Sequence, residues 1–151
     1  MICIWWMKAG MKVTSIKKCF IDSSAFIALN HAYDKNHKSA YHIASKLNGF
    51  HFILSDAVVT ETYNILRYRI GYEAGSRFLE MTLHRNEYEI AIVTLTMRHE
   101  VLLLLEKYRE HKISYCDALS VIIMRENKVK NIFAFDHHFE MMGVSLINHV
   151  V

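Results

Sequence analysis

The chain has 151 residues, of which 52% are apolar and 22% are charged, and this composition excludes disordered and fibrous proteins. At this length one domain with a substantial core is expected. The 18 basic and 15 acidic residues give a formal net charge of +3, which permits a polyanionic partner without requiring one. The three cysteines are widely spaced, which excludes a disulfide framework and favours a reducing compartment.

The first seven residues (MICIWWM) are apolar, but they are too few for a membrane span and lack the basic leader of a secretory signal. A second methionine, Met11, begins a more ordinary protein start. We therefore expect residues 1–16 to form a tail, with residues 1–10 an over-called start or a loose segment. Residues 17–151 are expected to form one domain that acts in the cytoplasm, away from membranes.

Short apolar runs bounded by polar or small residues predict five strands, at residues 18–22, 50–54, 88–93, 131–135 and 144–147. Helical periodicity predicts helices at residues 39–47, 57–70, 73–84, 97–110 and 114–126, with a short turn after residue 137. Ser23 and Ser24 suit the N-cap of a further helix after the first strand. Ser55 or Asp56 suits the cap of helix 57–70, and Gly71 is expected to end that helix.

Strands that alternate with one or two helices predict an α/β fold with a mostly parallel sheet. In such a sheet the carboxyl ends of the strands share one edge, and ligands bind there at a switch in strand order. Two of the predicted strands lead into an acid at this edge, Asp22 and Asp136. Both acids are therefore candidate site residues.

Two further acids lie in apolar helices. Glu61 shares a helix face with Ile65, and Asp117 shares one with Val121, without a basic side chain at matching spacing. Each acid alone can be a cap, a surface residue or half of an ion pair. Together the four predict a cluster that binds protons or cations, because carboxylates are rarely buried without a partner. Oxygen ligands without Cys or His suit Mg²⁺ or Mn²⁺, and such a cation beside a mildly basic surface indicates phosphodiester hydrolysis.

Four segments, taken in order, resemble the acidic motifs of the PIN-domain ribonucleases, and in particular those of the small VapC-type toxins of bacterial toxin–antitoxin pairs. The segments are FIDSSAFIAL, LSDAVVTETYNILRYRIG, ISYCDALSVIIMREN and NIFAFDHHFEMMGVSLI. The resemblance implies a three-layer α/β/α sandwich around a sheet of about five strands. It also implies RNA as the substrate, a homodimer and inhibition by a cognate antitoxin.

The resemblance implies four catalytic residues that also bind Mg²⁺ or Mn²⁺: Asp22, Glu61, Asp117 and Asp136. Ser23 matches the hydroxyl residue that commonly follows the first acid, and we expect it to contact the substrate. Arg67 is close to Glu61 in sequence and is expected to contact RNA phosphates. Ala134 departs from the family, because many members carry Thr or Ser at this position.

The leading interpretation is a metal-dependent endoribonuclease that acts as a toxin. One alternative is a non-catalytic PIN-fold module that binds RNA or a partner, for which Ala134 is the only indication. Another is a housekeeping nuclease of RNA processing without an antitoxin. Cys116 is interpreted as a buried small residue rather than a reactive thiol, and His137 and His138 as residues at a helix start.

The helix predicted at residues 57–70 has a second apolar face, opposite Glu61. It carries Val59, Tyr63, Leu66 and Ile70. A helix that is apolar on two faces is either fully buried or shared with a partner. The high apolar content favours a partner, so this face, with helix 73–84, is predicted to form a homodimer or antitoxin contact.

Overall fold

The structure, a computed structural model, describes residues 16–147. Within this range five strands form one parallel sheet, with β3-β2-β1-β4-β5 as the spatial order when strands are numbered along the chain. The strands are β1 (Lys18–Ile21), β2 (His51–Ser55), β3 (Tyr88–Ala91), β4 (Asn131–Phe133) and β5 (Ser145–Leu146). The predicted α/β fold is confirmed. The predicted tail lies outside the described residues except for Ile16, so that boundary stays a prediction.

Seven helices flank the sheet within residues 16–147. They are α1 (Ser23–Asn30), α2 (His37–Lys46), α3 (Asp56–Arg69), α4 (Tyr72–His84), α5 (Leu95–Lys107), α6 (Tyr115–Glu126) and α7 (His138–Met141). Helices α1 to α4 lie in the connections from β1 to β2 and from β2 to β3, which move along the sheet in one direction. Helices α5 to α7 lie in the connections from β3 to β4 and from β4 to β5, which move in the opposite direction. Right-handed crossovers place these two sets on opposite faces. Accordingly α1 contacts α2 and α3, and α6 contacts α5 and α7, which confirms the three-layer sandwich.

The core lies on both faces of the central strands. Phe20 of β1 and Ile53 of β2 are completely buried, as are Val121 and Ile123 of α6. Burying one such side chain contributes roughly 1.5–3 kcal/mol. The mostly apolar sequence of α6 follows from its position, because it packs between the sheet and its neighbouring helices. Among the described residues, no helix is both long and apolar enough to span a membrane.

Helix starts follow the expected capping chemistry with one correction. Ser55 caps α3, as one of the two predicted options, and its hydroxyl accepts a hydrogen bond from Val58 N–H at 3.1 Å. The prediction that Ser23 or Ser24 caps α1 is wrong. Asp22 has extended backbone angles and is the N-cap, because Ser23 is already helical and the Asp22 carboxylate accepts from Ser24 N–H at 2.9 Å.

The predicted partner face of α3 is also corrected. Leu66 is completely buried and Val59 is 8% exposed within the single chain. Helix α4 packs against α3 and supplies the cover that we had assigned to a partner. Gly75 permits this close approach, since a Cβ there would lie 2.9 Å from Tyr63 Cε2. Leu66 and Val59 are therefore core residues, whereas Ile70 at the end of this face is 44% exposed.

The order of the strands places a switch point between β1 and β4. From β1 the chain proceeds through β2 and β3 to one side, and it then returns to β4 on the other side of β1. The connections therefore diverge at the carboxyl ends of β1 and β4, which opens a crevice there. Asp22 N–H donates to Phe133 O at 3.1 Å and ties the two strand ends together.

Candidate active site

Asp22 lies at the base of the crevice and is 2% exposed. Its Oδ2 accepts hydrogen bonds from Ser24 N–H at 2.9 Å and from Ser24 Oγ–H at 2.5 Å. Ser24 Oγ in turn accepts from Phe135 N–H at 3.1 Å. Helix capping thus fixes one carboxylate oxygen, while Oδ1 is buried without a hydrogen-bond partner.

Glu61 reaches the crevice from the second turn of α3 and is partly buried. Its Oε2 accepts a short hydrogen bond from Ser23 Oγ–H. Ser23 is itself 6% exposed. The structure therefore shows the Ser23 hydroxyl engaged with Glu61, and its predicted contact with substrate stays a prediction.

Asp117 is the third residue of α6 and belongs to a capping box. Its backbone N–H donates to Ser114 Oγ at 3.0 Å, and its Oδ2 accepts from Ser114 N–H at 3.3 Å. One oxygen is thus held by the helix start. The capping box orients the partly buried side chain at the N-terminal end of α6.

Asp136 follows β4 in the loop that leads into α7. Its Oδ1 accepts from His138 N–H at 2.9 Å, and His138 Nδ1 lies 3.3 Å from the same oxygen. Both side chains are partly exposed. One ligand atom each from Asp117, Asp136 and His138 lies within 4.8 Å of the others.

The four predicted acids come together electrostatically. Asp117 and Glu61 raise the pKa of Asp22, and Asp136 and Glu61 raise the pKa of Asp117. Burial, with smaller contributions from Asp117 and Glu61, raises the pKa of Asp22 to about 6, although the bonds from Ser24 oppose the shift. Burial raises the pKa of Asp117 as well, with Asp136 and Glu61 adding to the effect and Ser114 opposing it. Such a cluster binds protons or cations.

The residues present fit a divalent cation. Asp22 Oδ1 is a buried polar atom without a hydrogen-bond partner, and an unsatisfied buried polar group costs about 1–3 kcal/mol. A cation among the carboxylates would relieve that cost and the repulsion. Carboxylate oxygens suit Mg²⁺ and Mn²⁺, and an imidazole nitrogen is compatible with the softer of the two.

The sequence motifs do not predict His138 as a ligand. They indicate that His137 and His138 lie at a helix start, and His138 does, since α7 begins there. The available signal was the Asp136-x-His138 spacing, because an Asp two residues before a backbone N–H commonly accepts from it. That turn brings the imidazole to the carboxylate cluster.

Arg67 and Cys116 complete the predictions for this region. Arg67 lies in the last turn of α3, where its guanidinium is 5.9 Å from the ring centre of Tyr72. It follows Glu61 by six positions, which corresponds to roughly 9 Å along the axis. Its contact with RNA stays a prediction.

Cys116 is buried, and burial strongly raises the pKa of its thiol, in agreement with an unreactive side chain.

A family model described as PIN domain matches residues 19–144. The chain belongs to the PIN-domain family. The match includes all four acids and most of the described residues, so the resemblance identified from the sequence is confirmed. In this PIN domain Ala134 is buried directly after β4, and the family's common hydroxyl is absent at that position.

Similar proteins are VapC-type. Two relatives, from Mycobacterium tuberculosis strains CDC 1551 / Oshkosh and ATCC 25618 / H37Rv, are both named 23S rRNA-specific endonuclease VapC20. Each is 30% identical over 125 residues, which cover 82% of this chain and 93% of the relative. The crystal structure of Mycobacterium tuberculosis VapC20, described as a sarcin–ricin loop cleaving toxin, aligns with a TM-score of 0.79 at 26% identity. That alignment covers 86% of this chain and 98% of the VapC20 chain.

Proposed function

We propose that this PIN domain is a metal-dependent endoribonuclease and the toxin of a toxin–antitoxin pair. The observation that carries the proposal is the buried, unpartnered Oδ1 of Asp22 within a cluster of four acids. The cluster lies at the switch point of the sheet, where α/β proteins bind their ligands. The similarity to VapC20 endonucleases supports the same conclusion.

The acids would hold the cation, and the surrounding hydroxyls would hold the acids. Asp22, Asp117 and Asp136 offer oxygens from three different elements, and Ser23 orients Glu61 through its hydrogen bond. Ser24 fixes Asp22 and also joins the start of α1 to the loop after β4. The chemistry that a divalent cation supplies when bound is activation of water and neutralisation of charge on the phosphate.

Mg²⁺ or Mn²⁺ is the proposed cofactor. The four carboxylates alone suit either ion. His138 as an additional nitrogen ligand would favour Mn²⁺, because hard Mg²⁺ prefers oxygen. A comparison of the two ions in wild-type protein and in a His138→Ala variant tests this contribution.

RNA is the proposed substrate, and Arg67 is proposed to contact its phosphates. The side chain is exposed in the last turn of α3, six residues after Glu61 and about 120° from it around the helix axis. A guanidinium binds phosphate oxygens without reading sequence. Arg67 should therefore affect affinity for RNA more than the choice of cleavage site.

A cognate antitoxin, a homodimer and a cytoplasmic location complete the proposal. Leu66 is buried within the chain and is not available to a partner. Helix α5 exposes leucines along its outer side: Leu95, Leu102 and Leu103 are 70%, 64% and 69% exposed. An exposed cluster of this kind marks an interaction surface. We assign the homodimer contact to it.

The nuclease proposal is tested by incubating total RNA with purified protein in Mn²⁺ or in EDTA. Wild-type protein should produce discrete fragments only with Mn²⁺, and Asp22→Asn should reduce the rate roughly 100-fold or more, because it removes a buried ligand. Asp56→Asn is the matched control, since Asp56 is exposed in the first turn of α3. Equal cleavage in EDTA, or by Asp22→Asn, would refute the proposal.

The toxin role is separable from the nuclease activity. Expression of the wild-type chain should arrest bacterial growth, Asp22→Asn should not, and a short neighbouring reading frame should encode a protein that relieves the arrest. A housekeeping nuclease would cleave RNA in vitro without that neighbour and without arrest. A non-catalytic module would bind RNA without turnover.

A further inference from the structure

A cleft beside the acids is not used by the chemistry proposed above. It is shallow and open to solvent, with a volume of about 430 Å³. We call it the Asn36 cleft, and it is lined by Ser24, Asn36, Phe135, Asp136, His137 and His138. Two of these residues belong to the candidate metal site, so the cleft adjoins the position of a cleaved phosphate.

Asn36 occupies an N-cap position without performing the usual function of a cap. It precedes α2, but its side chain makes no capping hydrogen bond. Asn at an N-cap normally accepts from the helix backbone, so this carboxamide is left for another partner. It offers one acceptor and two donors at the wall of the cleft.

Hydrogen bonds hold the backbone of Asn36 on both sides. Asn36 N–H donates to Asp34 Oδ1 at 2.8 Å, and Asn36 O accepts from Ala40 N–H at 2.8 Å. The neighbouring His37 Nδ1 lies 2.6 Å from Ala28 O, which anchors the start of α2 to the buried side of α1. A carboxamide on a fixed backbone can select a ligand by its geometry.

The other walls are aromatic. Phe135 is partly buried, with its ring 6.0 Å from that of Phe133 in an edge arrangement, and His137 is exposed with an imidazole at the mouth. Aromatic rings next to a polar edge-reading group are the combination that binds unpaired nucleobases. A peptide ligand would use backbone groups along an edge or groove instead.

We propose that the Asn36 cleft binds an unpaired nucleobase next to the cleaved phosphodiester, with Asn36 as the residue that discriminates between bases. The proposal rests on RNA cleavage by the neighbouring acids. Phe135 and His137 supply stacking surface, which tolerates any base, whereas the carboxamide hydrogen-bonds an edge that differs between bases. Asn36 is a specificity residue and takes no part in activating water.

The test uses a pool of short single-stranded RNAs of random sequence, with sequencing of the cleaved ends. We compare wild-type protein with Asn36→Ala and with Asn48→Ala, an identical change at an exposed Asn after the other end of α2. Wild-type protein and Asn48→Ala should share one base preference beside the cut. Asn36→Ala should reduce that preference about 5-fold or more. A 5-fold change is the smallest effect expected when a well-placed base contact is lost.

A binding measurement separates this proposal from the nuclease proposal. In the Asp22→Asn background, anisotropy with oligoadenylate, oligocytidylate and oligouridylate should show an affinity order that Asn36→Ala flattens. His137→Ala should weaken all three RNAs similarly, because stacking is tolerant of sequence. If the wild-type chain cleaves no RNA but this order depends on Asn36, the cleft stands and the nuclease proposal fails.

The opposite result is equally clear. Suppose that wild-type protein cleaves with a base preference. If Asn36→Ala keeps that preference, and binds the three RNAs in the same order of affinity as Asn48→Ala, the Asn36 cleft does not read a base. Thermal melting accompanies each variant. Because the Asn36 side chain makes no capping bond, its removal should leave the melting temperature close to that of Asn48→Ala.

Discussion

Replacing Asp22 by Asn should stabilise the metal-free protein. The Asp22 carboxyl is 2% exposed and has a pKa raised from 3.8 to about 6, chiefly by burial. Above pH 6 the folded state therefore carries an ionised group that the unfolded chain tolerates better. A shift of about 2 pKa units corresponds to roughly 3 kcal/mol, which is the upper bound on the gain from removing the charge.

The geometry of the site favours this gain. An Asn oxygen in place of Oδ2 can still accept both bonds from Ser24, and its amide then lies where Oδ1 has no partner. That amide would donate toward the neighbouring Glu61 and Asp117 carboxylates, which act electrostatically on Asp22. A gain approaching 3 kcal/mol raises the melting temperature by about 6–12 °C at this chain length.

The assay is thermal unfolding in EDTA at several pH values, with the exposed Asp56→Asn as control. The advantage of Asp22→Asn should be fully present above pH 6 and fall as pH drops toward 3.8, because wild-type Asp22 then takes up a proton. At pH 5 about half should remain. Added Mn²⁺ should stabilise wild-type protein by RT ln(1 + [Mn²⁺]/Kd) and Asp22→Asn much less. A lower melting temperature for Asp22→Asn in EDTA at neutral pH would refute the reasoning, since Asp22 would then be a structural partner.

Two predictions concern the apolar surfaces. Leu66→Ala should lower the free energy of unfolding, measured in urea, by about 2–5 kcal/mol without changing the oligomeric state, because Leu66 is completely buried within one chain. Weaker association with unchanged stability would instead show that a partner covers this face. Leu102→Glu should dissociate a dimer in light scattering and leave the melting temperature within about 2 °C. The control His42→Glu, at an exposed position of α2 on the opposite face of the sheet, should not dissociate it. A wild-type monomer would remove α5 as an interface.

Much of the site could be predicted because its acids violate ordinary patterns. Asp22 and Asp136 follow apolar runs that fit parallel strands, and parallel strands share a carboxyl edge. Asp117 interrupts a helix that is otherwise almost entirely apolar. Burial of charge is costly, so such positions stand out in a sequence.

The sequence does not predict features that depend on tertiary contacts or on a short local turn. Helical periodicity identifies the second apolar face of α3, but it cannot tell whether α4 or another chain covers it. Gly75 was the available indication, because a missing side chain permits two helices to approach closely. His138 depends on a turn of three residues, and Asn36 lies in an irregular segment without periodicity.

We propose above that the four acids form a site for a divalent cation. Anomalous diffraction from crystals of the wild-type chain soaked in Mn²⁺ tests it most directly. A peak should lie within about 2.0–2.6 Å of carboxylate oxygens from Asp22 and at least one of Asp117 and Asp136. It should be absent in Asp22→Asn crystals soaked in the same way. A wild-type protein that cleaves RNA while Mn²⁺ is found only elsewhere would contradict the account.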